Sequence, residues 1–220
     1  MYNKINLREA AIDLRYLLNR RYNRKSAIDF VGDKWNLNRE ERHILYRAIF
    51  STEEIKTRQW NEVKIEEIKG KIIAIDTYNI LIIIESCLKG LWLIKADDTY
   101  IRDISQVFNK YKQSSYTLRS IQMILKKLKP YEPKKVIFFL DKNISLSGEL
   151  AAIIKKELNK LGIEGDAQTV PSSDKSVILN GEIVISNDRI VLEGAFTHLN
   201  LFAYLLTDLK ENKVNLLEIT

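Results

Sequence analysis

Apolar positions recur along this chain with two different periods. From residue 5 to residue 58 they keep helical spacing: Leu7, Ala10, Ala11, Leu14, Leu17 and Leu18, then Ala27, Ile28, Phe30 and Val31, then Ile44, Leu45 and Ile49. That is the stripe of amphipathic helices packed on one another. Ser26 predicts one helix start and Asn38, followed by Arg-Glu-Glu, predicts another, while Gly32 and Asn36 mark turns. From Lys71 the apolar runs become short and rich in Ile, Val and Phe, which reads as buried parallel strands. Strands are predicted at 72–76, 91–95, 136–140, 166–170 and 183–186, with a further one at 189–192. Helices are predicted over 78–89, 100–111, 115–129, 147–161 and 197–210. This alternation implies a mainly parallel α/β sheet with helices on both faces. The chain therefore divides into a small all-α module at 1–58, a charged connector at 59–70 and an α/β domain at 71–220.

Five aspartates stand where predicted strands finish: Asp76 in IAIDTYNIL, Asp98 in LIKADDTYIRD, Asp141 in VIFFLDKN, Asp174 in VPSSDKS and Asp188 in IVISNDR. In open α/β sheets that edge is where ligands bind. Carboxylates crowded there repel one another unless protonated or bridged by a cation, and a hard divalent ion with oxygen ligands, Mg²⁺ or Mn²⁺, is the economical solution. Each acid also has an ordinary reading. Asp76 and Asp174 stand at helix starts and suit caps, and Asn187-Asp188 suits a tight turn. Ser186 can orient a neighbouring carboxylate, and Asn79 lies beside Asp76. Of Asp97, Asp98 and Asp103, at least one is expected to pair with Arg102, and Asp98 is the preferred site acid. Glu85, inside an apolar helix, must be paired or face an opening, with Lys95 or Arg102 as partners. Lys142, Lys175 and Arg189 adjoin the acids and can clamp phosphates, or form surface pairs.

Composition narrows the partners. A net charge of +6 favours an anionic one. Between Arg15 and Lys25 stand Arg15, Arg20, Arg21, Arg24 and Lys25 with Tyr16 and Tyr22 and no acid. Arginine forks and aromatic rings suit nucleic acid; a solvated helix end is the plain reading. The single cysteine, Cys87, excludes an internal disulfide and a Cys-rich zinc site. The first residues, MYNKINLREA, lack a signal-peptide core, and the longest apolar stretch, ILIIIESCL, falls well short of the ~20 residues of a membrane span. A cytoplasmic location is expected, and a homo-oligomer is compatible with the chain. His43 and His198 have no neighbouring nucleophile or acid and read as structural. No Walker-type glycine loop occurs, and Tyr78 stands where haloacid-dehalogenase chemistry needs a second Asp.

The order Asp76-x-x-Asn79, a middle acid, VIFFLD and a closing ISND resembles the PIN and NYN superfamily of metal-dependent ribonucleases. More closely, YLLNRRYNRKSA, DDTYIRD and LDKNISLSG resemble an uncharacterised, mainly archaeal two-domain family: a helical domain of unknown function joined to a PIN-like domain. The resemblance implies a three-layer α/β/α domain holding Mg²⁺ or Mn²⁺ on Asp76, Asp141, Asp188 and a further acid. It implies hydrolysis of RNA by an activated water, leaving a 3′-hydroxyl and a 5′-phosphate. Asp98, Asp103 and Glu85 compete for the second acidic place, and Ser147 with Gly148 is expected near the pocket. The alternative is a PIN-like RNA-binding or adaptor protein without turnover.

Overall fold

The computed structural model describes residues 4–104, 111–209 and 214–219. The amino-terminal part is helical, as the spacing predicts: α1 (Lys4–Asn19), α2 (Arg24–Lys34), α3 (Arg39–Ala48) and α4 (Thr52–Asn61). Capping boxes at Asn38/Glu41 and Ser51/Glu54 fix the starts of α3 and α4. The cap of α2 is Asn23, whose side chain accepts from the Ser26 N–H, so Ser26 lies within the helix. Gly32 also lies within α2 rather than in a turn; a Cβ there would run into the Arg42 guanidinium that rests against it.

The α/β part runs β1 (Ile72–Asp76), α5 (Thr77–Leu88), β2 (Trp92–Lys95), β3 (Ile101–Asp103), α6 (Thr117–Leu128) and β4 (Lys135–Asp141). It continues with α7 (Ser147–Leu161), β5 (Gly165–Val170), α8 (Ser173–Asn180), β6 (Ile183–Ile185), α9 (Arg189–Gly194), α10 (Leu201–Leu205) and β7 (Asn215–Glu218). Two predicted elements change type. The region 189–192 is helix α9, because the Asp188 carboxylate caps it by accepting from the Ile190 and Val191 N–H groups. The start of the predicted 100–111 helix is strand β3, reached through a tight turn with Thr99 at φ 72°; positions 105–110 lie outside the described residues. The predicted helix at 197–210 is reduced to α10, and its last position, 210, lies outside them too.

Four strands form a parallel sheet in the order β5-β4-β1-β6. Strand alternation divides its apolar residues between two faces. Ile73, Ile75, Val136 and Phe138 face a large core with α5, α6 and α7, whereas Ala74, Ile137, Phe139 and Val184 face a smaller one with α8 and α9. Helix α5 is apolar nearly all round and correspondingly buried.

A second, small sheet has the order β3-β2-β7, with β3 antiparallel and β7 parallel to β2. It is a wall shared by the two parts of the chain. Leu93 points into the large core, while its neighbour Ile94 points into the core of the helical module together with Ala96, Leu217 and Ile219. A buried ionic knot closes the same junction. Arg58 of α4 donates to Asp98 at 2.5 Å and to Glu193 of α9 at 3.1 Å, and Arg102 donates to both Asp98 oxygens at 2.7 Å. The guanidinium groups of Arg58 and Arg102 lie over the Phe50 ring at 4.0 and 4.9 Å.

Candidate functional site

Because β4, β1 and β6 are parallel neighbours, their carboxyl ends share one edge. Asp141 and Asp76 are the last residues of β4 and β1, Asp188 follows β6 through Ser186 and Asn187, and Asp174 lies in the first turn of α8. The chain leaves β1 onto one face of the sheet and β6 onto the other, which opens a crevice between the two strand ends.

Asp76 is 5 % exposed. It occupies the N-cap position of α5 but closes no capping hydrogen bond; its carboxylate accepts instead from the Ser186 hydroxyl at 2.8 Å. That hydroxyl accepts from the Asp188 N–H at 3.0 Å, and the Asn79 side-chain oxygen accepts from the Asn187 N–H at 2.7 Å. The loop after β6 is thus pinned to the end of β1 and the start of α5. Burial drives the Asp76 carboxyl up to about 7; the Ser186 hydroxyl opposes this, the charges of Asp174 and Asp188 reinforce it, and the nearby Asn79 N–H moderates it. Asp174 is raised too, by burial first and then by Asp188 and Asp141, against the Ser173 hydroxyl. Tyr78 is pushed to about 12 by burial and by Asp141.

Asp174 therefore lies within electrostatic reach of Asp76, Asp141 and Asp188, and among the described residues none of the four is ion-paired to a lysine or arginine. An all-oxygen set of this kind suits Mg²⁺ or Mn²⁺ chemically. In this arrangement, among the described residues, no group of three or more His, Cys, Asp or Glu side chains stands ready to hold an ion. The edge gathers the charges without closing them into a coordination cage.

Other predicted residues are engaged elsewhere. Asp98 belongs to the buried knot with Arg58 and Arg102; burial pushes its carboxyl up, but the two guanidinium groups outweigh this and hold it below the ordinary value. The acid preferred from sequence as a site residue is the one that pairs with Arg102. The Arg102 Nε also donates to the Asn187 carbonyl at 2.8 Å, so the knot reaches the loop after β6. Asp103 is buried at the end of β3, where its carbonyl accepts from Arg47. Glu85 pairs with neither Lys95 nor Arg102: it accepts from Tyr111, Thr117, Ser114 and Lys89, binding α5 to the start of α6. Ser147 is buried at the start of α7, and Gly148, Lys142 and Lys175 are exposed.

In the basic stretch, Arg15 is paired with Asp97 at 2.9 Å, and Arg24 with Glu54 at 2.8 Å and the Ile49 carbonyl at 2.7 Å. Arg24 holds the module together, and Arg15 ties it to the loop after β2. Arg20, stacked on Tyr16 at 3.9 Å, and Arg21, Tyr22 and Lys25 face solvent.

A family described as "Domain of unknown function (DUF5616)" matches residues 65–204, more than half of the 220 residues. The chain belongs to the DUF5616 family. Ahead of the DUF5616 segment, residues 6–60 match "Protein of unknown function (DUF434)". An uncharacterized protein of the archaeon Methanocaldococcus jannaschii is 34% identical over 190 residues, covering 86% of this chain and 90% of that protein. No solved structure gives a significant match.

Two residues not expected from the sequence belong to the site's surroundings in this DUF5616 chain. Tyr46 and Arg47 of α3 line a cleft with Asn79, Arg102, Asp188 and Arg189. Their signal was present: His43, Tyr46 and Arg47 share one helical face, while Ile44, Leu45 and Ala48 are the buried positions of α3. Among the described residues, no helix is long and apolar enough to cross a membrane.

Proposed function

We propose that this chain is a metal-dependent nuclease, acting on RNA, built on a three-layer PIN-like domain. The observation that carries the reading is Asp76: a buried carboxylate at the end of a central strand, raised to about 7, unpaired with any cation, and repelled by Asp174 and Asp188. A folded protein keeps such an arrangement against its own stability where function needs it. Asp76, Asp141, Asp188 and Asp174 would hold Mg²⁺ or Mn²⁺, which would neutralise phosphate charge and lower the pKa of the attacking water. The protein's own part is orientation. Ser186 fixes one Asp76 oxygen, the Asp188 N–H fixes Ser186, and Asn79 fixes the loop that carries Asp188. Neither histidine offers a base, since burial takes each well below its usual value, to about 4.

The test is cleavage of labelled single-stranded and structured RNA with Mg²⁺, Mn²⁺ or EDTA by wild type, Asp76→Asn and Asp141→Asn. Cleavage should require the ion and fall at least about a hundredfold in each variant. Cleavage surviving both EDTA and the substitutions would remove the proposal. Tight binding of RNA without any cleavage would identify a binding or adaptor protein instead.

A further inference from the structure

The cleft beside Asp188 is built by both parts of the chain and is about 70 Å³ in volume. Its walls include Tyr46 and Arg47 from the helical module and Asn79, Arg102, Asp188 and Arg189 from the α/β part. A neighbouring cavity of about 70 Å³ shares Arg47, Asn79 and Arg102 and extends to Asp103. The three guanidinium groups are not equivalent. Arg102 is committed to Asp98 and the Asn187 carbonyl. Arg47 spends one Nη on the Asp103 carbonyl at 3.0 Å; burial pulls its guanidinium below the ordinary value, and the charges of Asp103 and Asp188 oppose this in part. Arg189 is held by Glu193 at 2.9 Å and lies over the Tyr46 ring at 5.7 Å, leaving its buried Nε without an acceptor. An orphaned buried donor has a standing demand for an acceptor.

We propose that this cleft binds a backbone phosphate of the nucleic-acid strand, the one next to the phosphate at the acidic edge, with Arg47 and Arg189 donating to its free oxygens. Tyr46, 39% exposed, offers its ring to the adjoining base. Arginine forks suit phosphate oxygens, and a cavity of this size takes a phosphate group rather than a peptide. The ligand must also continue past Asp188 to the carboxylate edge, which a strand of linked phosphates does and a free anion does not. The helical module is then one wall of the substrate site. This rests on the nuclease reading for what lies at the acidic edge, but the cleft's occupancy is measurable by itself.

The experiment uses the full chain in EDTA and follows fluorescence anisotropy of a labelled single-stranded RNA oligonucleotide over a series of salt concentrations. Arg47→Ala should weaken binding about tenfold and reduce the slope of log affinity against log salt by about one, whereas Arg47→Lys should keep the slope. Because Arg47 also holds a backbone carbonyl, Tyr46→Ala and Arg189→Gln provide the same comparison in chains whose melting is checked alongside, and both should weaken binding. Lys126→Ala probes the competing basic groove of about 400 Å³ lined by Arg119, Lys126 and Lys127. Unchanged affinity in the folded variants of Arg47 and Arg189, loss on Lys126→Ala alone, or no binding by wild type overturns the proposal. Metal-dependent hydrolysis of bis(p-nitrophenyl) phosphate, compared between wild type and Asp76→Asn, reports separately on the nuclease reading.

Discussion

Asp76 and Asp98 both follow an apolar strand and both are buried, yet their surroundings send their carboxyl groups in opposite directions. Asp98 meets two guanidinium groups, and Asp76 meets a hydroxyl and other aspartates. For Asp76 the unfolded chain ionises near 3.8 and the folded chain near 7. Between those values the folded state holds more protons, so the residue costs stability as pH rises, and the full cost is reached above about 7. In EDTA, Asp76→Asn should therefore melt with wild type at pH 4 and above it at pH 8, by about 2–4 °C for each kcal/mol of that cost. Asp98→Ala, in the same melting series, should lose about 3–5 kcal/mol at neutral pH, because it strands Arg58 and Arg102 in the interior. Equal behaviour of the two variants would contradict the assigned environments. The strand-end positions of Asp76 and Asp141 were legible from the apolar runs before them. The fate of Asp98 was not, because its partner Arg58 lies 40 residues away in another module.

At the scale of elements, the loop after β6 carries two roles on one residue. Asp188 belongs to the acidic edge and also caps α9. Asp188→Asn keeps an accepting side-chain oxygen and should leave thermal stability within about 0.5 kcal/mol, whereas Asp188→Ala should cost about 1 kcal/mol. RNA cleavage should be lost in both. Retained cleavage in Asp188→Asn would leave this residue with the cap alone. The same loop shows where periodicity fails. Arg189–Gly194 contains Ile190, Val191 and Leu192 in a row, a run that reads as strand until its cap is known. Likewise β3 has three residues, too few to register against a helical alternative, and β7 pairs with β2 from the far end of the chain.

The whole molecule departs most from the sequence reading at its junction. Helical and α/β patterns are separate along the chain, and the change of period near Lys71 was legible. What periodicity does not carry is which face of β2 meets which core. Ile94, Ala96, Leu217 and Ile219 complete the helical module's interior, so the connector at 59–70 does not divide two independent bodies. Fragments 1–61 and 62–220 should each fail to melt cooperatively, and mixing them should recover helical signal in circular dichroism. A cooperative transition in either fragment alone would show that the wall is dispensable.

The shared wall also orders events during synthesis. Helices α1 to α3 leave the ribosome well before β7, yet part of the surface that covers them belongs to that strand. Their apolar face stays open while the parallel sheet assembles, a period of exposure to wrong contacts and to chaperones. The strand that closes that face also completes the small sheet beside the cleft, so the nascent chain gains its finished groove late.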